Sequence, residues 1–215
     1  MNMNRIIEPE LLDSLPSNDP RAIRSRKELR WINALMGNER WILQQLLQQK
    51  KLLHNGVIEW GAGEGFLCQK IHKRFPFAPI TGIDLAARPY HISEKISWLS
   101  GNLLQMQTPA NAQVIVANLF LHHLTDDQLR QCATWFQHAS LLIFNEPLRK
   151  TTSHTWGKML HPLLESVTRH DMHVSIDAGF IKGELSNIWS DIKSGWMIQE
   201  WEQWPGAYRS VWIKK

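Results

Sequence analysis

The stretch VIEWGAGEGFL, Val57 to Leu67, restricts what this chain can become more than any other part of it. Val57, Ile58 and Trp60 are strand-type residues, and they run directly into Gly61, Gly63 and Gly65 before a helical segment opens at Phe66. A buried strand that empties through bare backbone into a helix is the first unit of a parallel α/β sheet. Its glycines let the backbone pass where any Cβ would collide with a ligand or a crossing strand. Spacing narrows the ligand. A dinucleotide turn sets its third glycine five positions after its first, so that a pyrophosphate settles on the helix N-terminus. Here that position is Phe66, and the glycines alternate behind Glu59 as E-x-G-x-G-x-G. An acid at the strand end opposes phosphate and suits an ammonium group.

The rest of the chain continues the same rhythm. Met1 to Ser17 has no sustained period and reads as an irregular arm. Asp19 and Pro20 then start a helix with Ile23, Leu29, Ile32, Leu35 and Met36 on one stripe, and a second helix runs from Glu39 to about Leu53. After the glycine turn come a helix from Phe66 to Phe75, a strand from Ile80 to Leu85, a strand ISWL, and an apolar strand from Ala112 to Ala117 of the kind parallel sheets bury on both faces. Between the second and third of these strands the usual long helix is missing. Only ARPYHISEK lies there, and Pro89 permits a turn or so. Thr125 and Gln128 form a capping box for a helix running to about His138, and SLLIFN is a fifth strand ending at Glu146-Pro147. A helix from about Ser153 to Val167, a polar segment TRHDMHVSIDAGF, and a hairpin of WMIQEWEQW and AYRSVWIKK about Pro205-Gly206 complete the chain.

The predicted fold is therefore α/β, a Rossmann-like, doubly wound, seven-stranded sheet with an antiparallel C-terminal hairpin and an N-terminal helical lid. Residues 1–53 read as the arm and lid, and 54–215 as one compact unit. A net charge of +4, with no Lys/Arg run interleaved with aromatics, argues against a nucleic-acid partner. Cys68 and Cys132 have neither metal nor disulfide-framework spacing and suit a reducing compartment. With no signal-like start and no apolar run long enough for a bilayer, a cytoplasmic protein without a membrane partner is expected. Eleven tryptophans, concentrated late, fit core and strand packing better than a pocket.

The E-x-G-x-G-x-G turn, the acid Asp84 at the second strand's end, the Gly101-Asn102 loop, the apolar fourth strand and the final hairpin together resemble the class I S-adenosylmethionine-dependent methyltransferases. The arm ELLDSLPSNDP, SRKELRWIN and VTRHDMHVSIDAGF resemble a bacterial small-molecule subgroup, associated with polyketide-type enzymes. The resemblance implies S-adenosylmethionine as cofactor. Glu59, Gly61, Gly63 and Gly65 would hold its methionine part, Asp84 and Leu85 the ribose, and Gly101, Asn102 and Leu103 the adenine. Asn118 would border the transferred methyl. Asn118-Leu119-Phe120-Leu121 lacks the prolines by which amino-methyltransferases of nucleic acids grip a flipped base, which again disfavours a nucleobase acceptor.

The implied activity is methyl transfer to a small aromatic or polyketide-like hydroxyl or carbon. A cofactor-binding regulatory protein of the same fold, or an RNA or protein methyltransferase, is the alternative. A base is needed only for a protonated acceptor, and the histidines supply candidates. His122 and His123 follow the fourth strand, where one is expected to face the pocket and the other to pack. His170 stands beside Asp171, which would orient it. His154 and His161 are weaker candidates. No metal site is expected, because no pair has ligand spacing with a third ligand in support. The oligomeric state stays open.

Overall fold

In the computed structural model, which describes residues 3–16, 18–109 and 112–215, alternation along each strand builds two cores on one sheet. The sheet comprises β1 (Val57–Trp60), β2 (Ile80–Asp84), β3 (Ile96–Ser100), β4 (Val114–Asn118), β5 (Leu141–Pro147), β6 (Trp196–Gln203) and β7 (Ala207–Lys214), in the order β3-β2-β1-β4-β5-β7-β6. β1 to β5 pair in parallel, and β7 runs antiparallel between β5 and β6. Val57, Val114, Val116, Leu141 and Ile143 face one side, against Ile42 and Leu46 of α3 (Asn38–Gln48) and Leu67 and Ile71 of α4 (Phe66–Arg74). Ile58, Trp60, Ile115, Ala117 and Phe144 face the other, against α5 (Asp126–Cys132) and α8 (Glu184–Ile188). The alternating sides make the sheet doubly wound, as the apolar runs require.

The late tryptophans pack on this second face. Trp189, Trp196 and Trp212 are buried with Phe136, at ring separations of 4.9 to 6.3 Å. Trp201 and Trp204, toward the hairpin turn, are exposed. β2 passes to β3 without a helix. No helix among the described residues is long and apolar enough to cross a membrane.

Several elements differ from their sequence expectation. Of the proposed arm, Met1, Asn2 and Ser17 lie outside the described residues; the remainder includes a short helix, α1 (Leu11–Ser14). α2 (Pro20–Leu35) has its Asp19 cap and Pro20 start, but Ile23 and Leu35 are exposed, and Ala22, Ser25 and Ile32 are the buried residues. Small residues let α2 approach α7 (Ser166–Ala178) closely, with Ser25 Oγ 3.0 Å from Thr168 Oγ1. The second and fifth helices end early, α3 passing into a 3-10 segment Lys50–Asn55 and α5 into another at Ala133–Gln137. The helix expected over Ser153 to Val167 is two helices, α6 (Thr151–Leu160) and α7 (Ser166–Ala178). Pro162 interrupts the first, and the Glu165 carboxylate caps the second by accepting from Val167 N. TRHDMHVSIDAGF is therefore mostly helix, and its Met172, Val174 and Ile176 are buried.

That correction gives Asp171 a different task from the one expected. It is buried in the middle of α7 and accepts hydrogen bonds from Leu11 N at 2.8 Å and Leu12 N at 2.9 Å, fastening α1. Asp171→Ala would leave two amide donors without their carboxylate, a loss of about 1–3 kcal/mol. We expect faster tryptic cleavage after Arg5 in this variant and an unchanged rate in His170→Ala, read by mass spectrometry of timed digests.

Candidate active site

The strand order reverses between β1 and β4, and the crevice beyond the carboxyl ends of these strands is where open α/β sheets bind ligands. β1 carries Glu59 to its end and then turns sharply. Gly61 has φ +63°, and a Cβ there would lie 2.2 Å from Phe120 Cδ2. At Gly63, with φ +53°, the backbone again excludes an ordinary side chain, but the Cβ position faces open space. Gly63 N donates to Asp84 Oδ2 at 2.7 Å, and Ala86 N to Asp84 Oδ1 at 2.9 Å. Gly101 N donates to the Asp84 carbonyl at 2.8 Å. The loops after β1, β2 and β3 are thereby laced around one acid.

Glu59 is buried, and burial pushes its carboxyl up to about 8. Its Oε2 has no hydrogen-bond partner. The acid read from sequence as a standing negative charge is therefore protonated at neutral pH until a positive group reaches it.

A cavity of about 390 Å³ runs from Glu59, Gly61, Gly63 and Asn118 to an apolar end. Leu29 and Ile32 of α2, Met36 at its C-cap, Trp156 of α6, and Met172 and Ile176 of α7 form that end. α2 is held over the glycine turn by the Arg30–Glu64 ion pair, with the Arg30 guanidinium 5.0 Å from the Phe66 ring centre. Its C-terminal end is held by Arg209, which donates to Met36 O at 3.0 Å and to Asn145 Oδ1 at 3.2 Å. Asn145 in turn donates to Asn118 Oδ1 at 2.9 Å, fixing the side chain at the end of β4.

Beyond Asn118 the backbone bends through Leu119, at φ +57° the only non-glycine residue with positive φ among those described. Such a conformation costs of order 1 kcal/mol and persists only where neighbours impose it. Glu146 imposes it from the end of β5. Its Oε1 accepts from Phe120 N at 3.1 Å and Leu121 N at 2.9 Å, and its Oε2 from His122 N at 3.3 Å. His122 Nδ1 lies 2.8 Å from the same Oε2. From the arm, Glu10 Oε1 lies 3.7 Å from His122 Nε2. Burial alone would lower the His122 pKa, but Glu10 and Glu146 outweigh it and push the imidazole up to about 9. His123 is held below its ordinary value by desolvation and then by the charge on His122.

The structure brings together Glu59, Gly61, Gly63, Asn118, His122 and His123 on the cavity wall. The two histidine rings do not diverge; they sit in a 3-10 turn with centres 4.1 Å apart and 35° between planes. Gly65, Asp84 and the Gly101-Asn102-Leu103 loop lie outside the wall, joined to it through the Asp84 bonds, and Leu85 is 78% exposed. Asn102 Oδ1, the expected adenine acceptor, already accepts from Leu104 N at 3.0 Å because it caps its own turn. His170 is not on the wall, since it projects from α7 beside Asp171 at 3.0 Å. Sequence reasoning missed Glu10, Glu146 and Leu119. Glu146 had been read only as the place where β5 stops, and no local signal marks Glu10.

Comparison with known proteins follows the same geometry. No protein-family model matches the chain, and no curated protein sequence does. Among solved structures, the plantazolicin methyltransferase BpumL in complex with a triazolic desmethylPZN analogue and SAH superposes with a TM-score of 0.74 over 95% of this chain and 93% of that one, at 14% identity. The fold is that of the class I methyltransferases. The methyltransferase domain of bacterial CtHen1 matches with a TM-score of 0.61 at 15% identity, over 83% of this chain and 97% of that one. Magnesium protoporphyrin IX methyltransferase from Synechocystis PCC 6803 with bound SAH matches at 0.59 and 12% identity, over 84% and 83%.

The buried Glu59 carboxyl gives a signed pH dependence. Glu59 has a folded pKa of about 8, above its unfolded value, so the unfolded chain loses this proton first as pH rises. Stability falls across that window, by up to about 1.4 kcal/mol per pH unit from this group. Glu59→Gln removes the penalty: its melting temperature relative to the parent should rise steadily from pH 5 to pH 8 in paired thermal scans.

Proposed function

We propose that this chain is an S-adenosylmethionine-dependent methyltransferase acting in the cytoplasm on a small-molecule acceptor, an aromatic or polyketide-like hydroxyl or carbon. The observation that carries the reading is the unpartnered, buried Glu59 oxygen opening on the same cavity as a glycine turn with vacant space at Gly63. A ligand with an ammonium group beside a bulky thioether or sulfonium fits that combination, and a pyrophosphate does not. Structural likeness to proteins crystallised with SAH supports it.

When bound, S-adenosylmethionine supplies a methyl group on sulfur, which an aligned acceptor takes by in-line displacement. The chain's own work is placement and exclusion of water. Glu59, Gly61, Gly63 and Gly65 hold the methionine portion, with Glu59 ionising as the ammonium arrives. Asp84 and Leu85 take the ribose, for which the Asp84 carboxylate exchanges its bond to Gly63 N. Gly101, Asn102 and Leu103 border the adenine. Asn118, locked by Asn145, borders the methyl, and α2 acts as the lid. The apolar end with Trp156 and Met172 suits a flat ring. Two structural neighbours are described with a triazolic plantazolicin analogue and by the name magnesium protoporphyrin IX, which supports a ring-bearing acceptor. Glu10, His122 and His123 form the polar corner at which an acceptor hydroxyl would shed its proton, while His170 takes no part.

Titration calorimetry with S-adenosylhomocysteine tests the pocket. We expect saturable binding that weakens about tenfold or more in Asp84→Ala, consistent with loss of charge-assisted hydrogen bonds, and equally in Gly63→Val. At pH 7 binding should release up to one proton, seen as dependence of the heat on buffer ionisation, and Glu59→Gln should release none. No heat with the parent protein, or unchanged affinity in both variants, overturns the assignment. Mass spectrometry of host metabolites incubated with labelled cofactor then identifies the acceptor.

A further inference from the structure

The polar corner of the cavity has a property that spacing along the sequence concealed. From Glu10, His122 and His123, one ligand-type atom each lies within 4.8 Å of the others, and all three side chains face the cavity. We propose that Glu10, His122 and His123 bind a single divalent transition-metal ion of the zinc or iron(II) class, with its open coordination position directed at the acceptor.

Three features of the corner support this. His122 Nδ1 is engaged with Glu146 at 2.8 Å, which leaves Nε2 as the coordinating nitrogen. A carboxylate behind a ligating imidazole fixes the tautomer and raises ligand basicity, and Glu146 is itself immobilised by three backbone amides. Next, the 3.7 Å between His122 Nε2 and Glu10 Oε1 exceeds hydrogen-bond reach. It is the separation of two ligands each about 2.1 Å from a metal and subtending about 125°. Lastly, two imidazoles and one carboxylate are a donor set for zinc or iron(II), and three protein ligands leave room for a fourth. Asp13 adds another carboxyl to the same wall. The absence of a metal motif in the sequence has a simple cause, since the third ligand arrives from the arm, held there by the Asp171 bonds to α1.

A hydroxyl oxygen on the open position would form a bond to the metal while its O–H bond breaks, the electron pair staying on oxygen and the proton leaving to solvent. That use of the ion rests on the methyl-transfer reading, whereas the site itself does not. The histidine cluster on α6, the turn after it and α7 is a different arrangement. His154 and His161 approach opposite nitrogens of His173, at 2.7 and 2.9 Å, so the three do not converge on one ion.

The test uses the full chain freed of metal by EDTA dialysis and titrated with Zn²⁺, and with Co²⁺ as a spectroscopic probe. We expect one equivalent of zinc at micromolar affinity or tighter and visible cobalt bands of mixed nitrogen and oxygen ligation. Glu10→Gln and His123→Ala should each weaken binding about tenfold or more, while His173→Ala leaves it unchanged. These substitutions spare buried His122, and circular dichroism verifies folding. No stoichiometric uptake, loss only in His173→Ala, or equal affinity across all variants overturns the proposal. Calorimetry with S-adenosylhomocysteine on the same metal-free protein reports separately on the cofactor pocket, so failure of one reading is distinguishable from failure of the other.

Discussion

The carboxylate of Glu146 is the contact around which the loop after β4 is organised. It is fully buried at the end of β5, yet its two oxygens receive three backbone amides and one imidazole from the loop after β4. A buried carboxylate is tolerated only when its lone pairs are filled in this way. By filling them, the loop is forced through the left-handed residue Leu119, and His122 and His123 are turned into the cavity. The carbonyls exposed by that bend then bind Arg5, whose guanidinium reaches Leu121 O, His122 O and Leu124 O. One acid therefore shapes the loop and, through it, the seat of the arm.

The glycine-turn side of the cavity is built differently. There the backbone is the instrument, and a single acid, Asp84, ties three loops together while remaining at the surface. Glu59 is the opposite case, an acid left without a partner for one oxygen in the interior. An orphaned polar atom in a well-packed protein calls for a ligand or a function. Its position on the cavity wall sets that unfilled oxygen beside the glycine turn.

What could be read in advance divides along the same line. The glycine turn, Asp84, the apolar strands and the terminal hairpin were legible because each is a local pattern whose cause lies within a few residues. The missing helix after Asp84 was legible too, since too few residues separate β2 from β3. The α6–α7 boundary is not where the apolar run suggests because Glu165 capping is a weaker signal, and of the α2 stripe Leu29, Ile32 and Met36 face inward while Ile23 and Leu35 are exposed, Ala22 and Ser25 being buried instead. Glu10 and Glu146 were invisible as site residues. Their meaning arises from contacts between segments that only the folded chain brings together.

The docking of the arm has a kinetic corollary. Met3 O accepts from Arg149 Nε, Arg5 Nε donates to Ala178 O, and Leu11 N donates to Asp171. The arm thus finds these partners only after residues 149 to 178 have been made. Contacts of such long sequence separation form late, because loop closure must precede them. Strands β1 to β5 and the glycine turn can pair before α7 is made, whereas the cavity wall contributed by the arm waits for that helix.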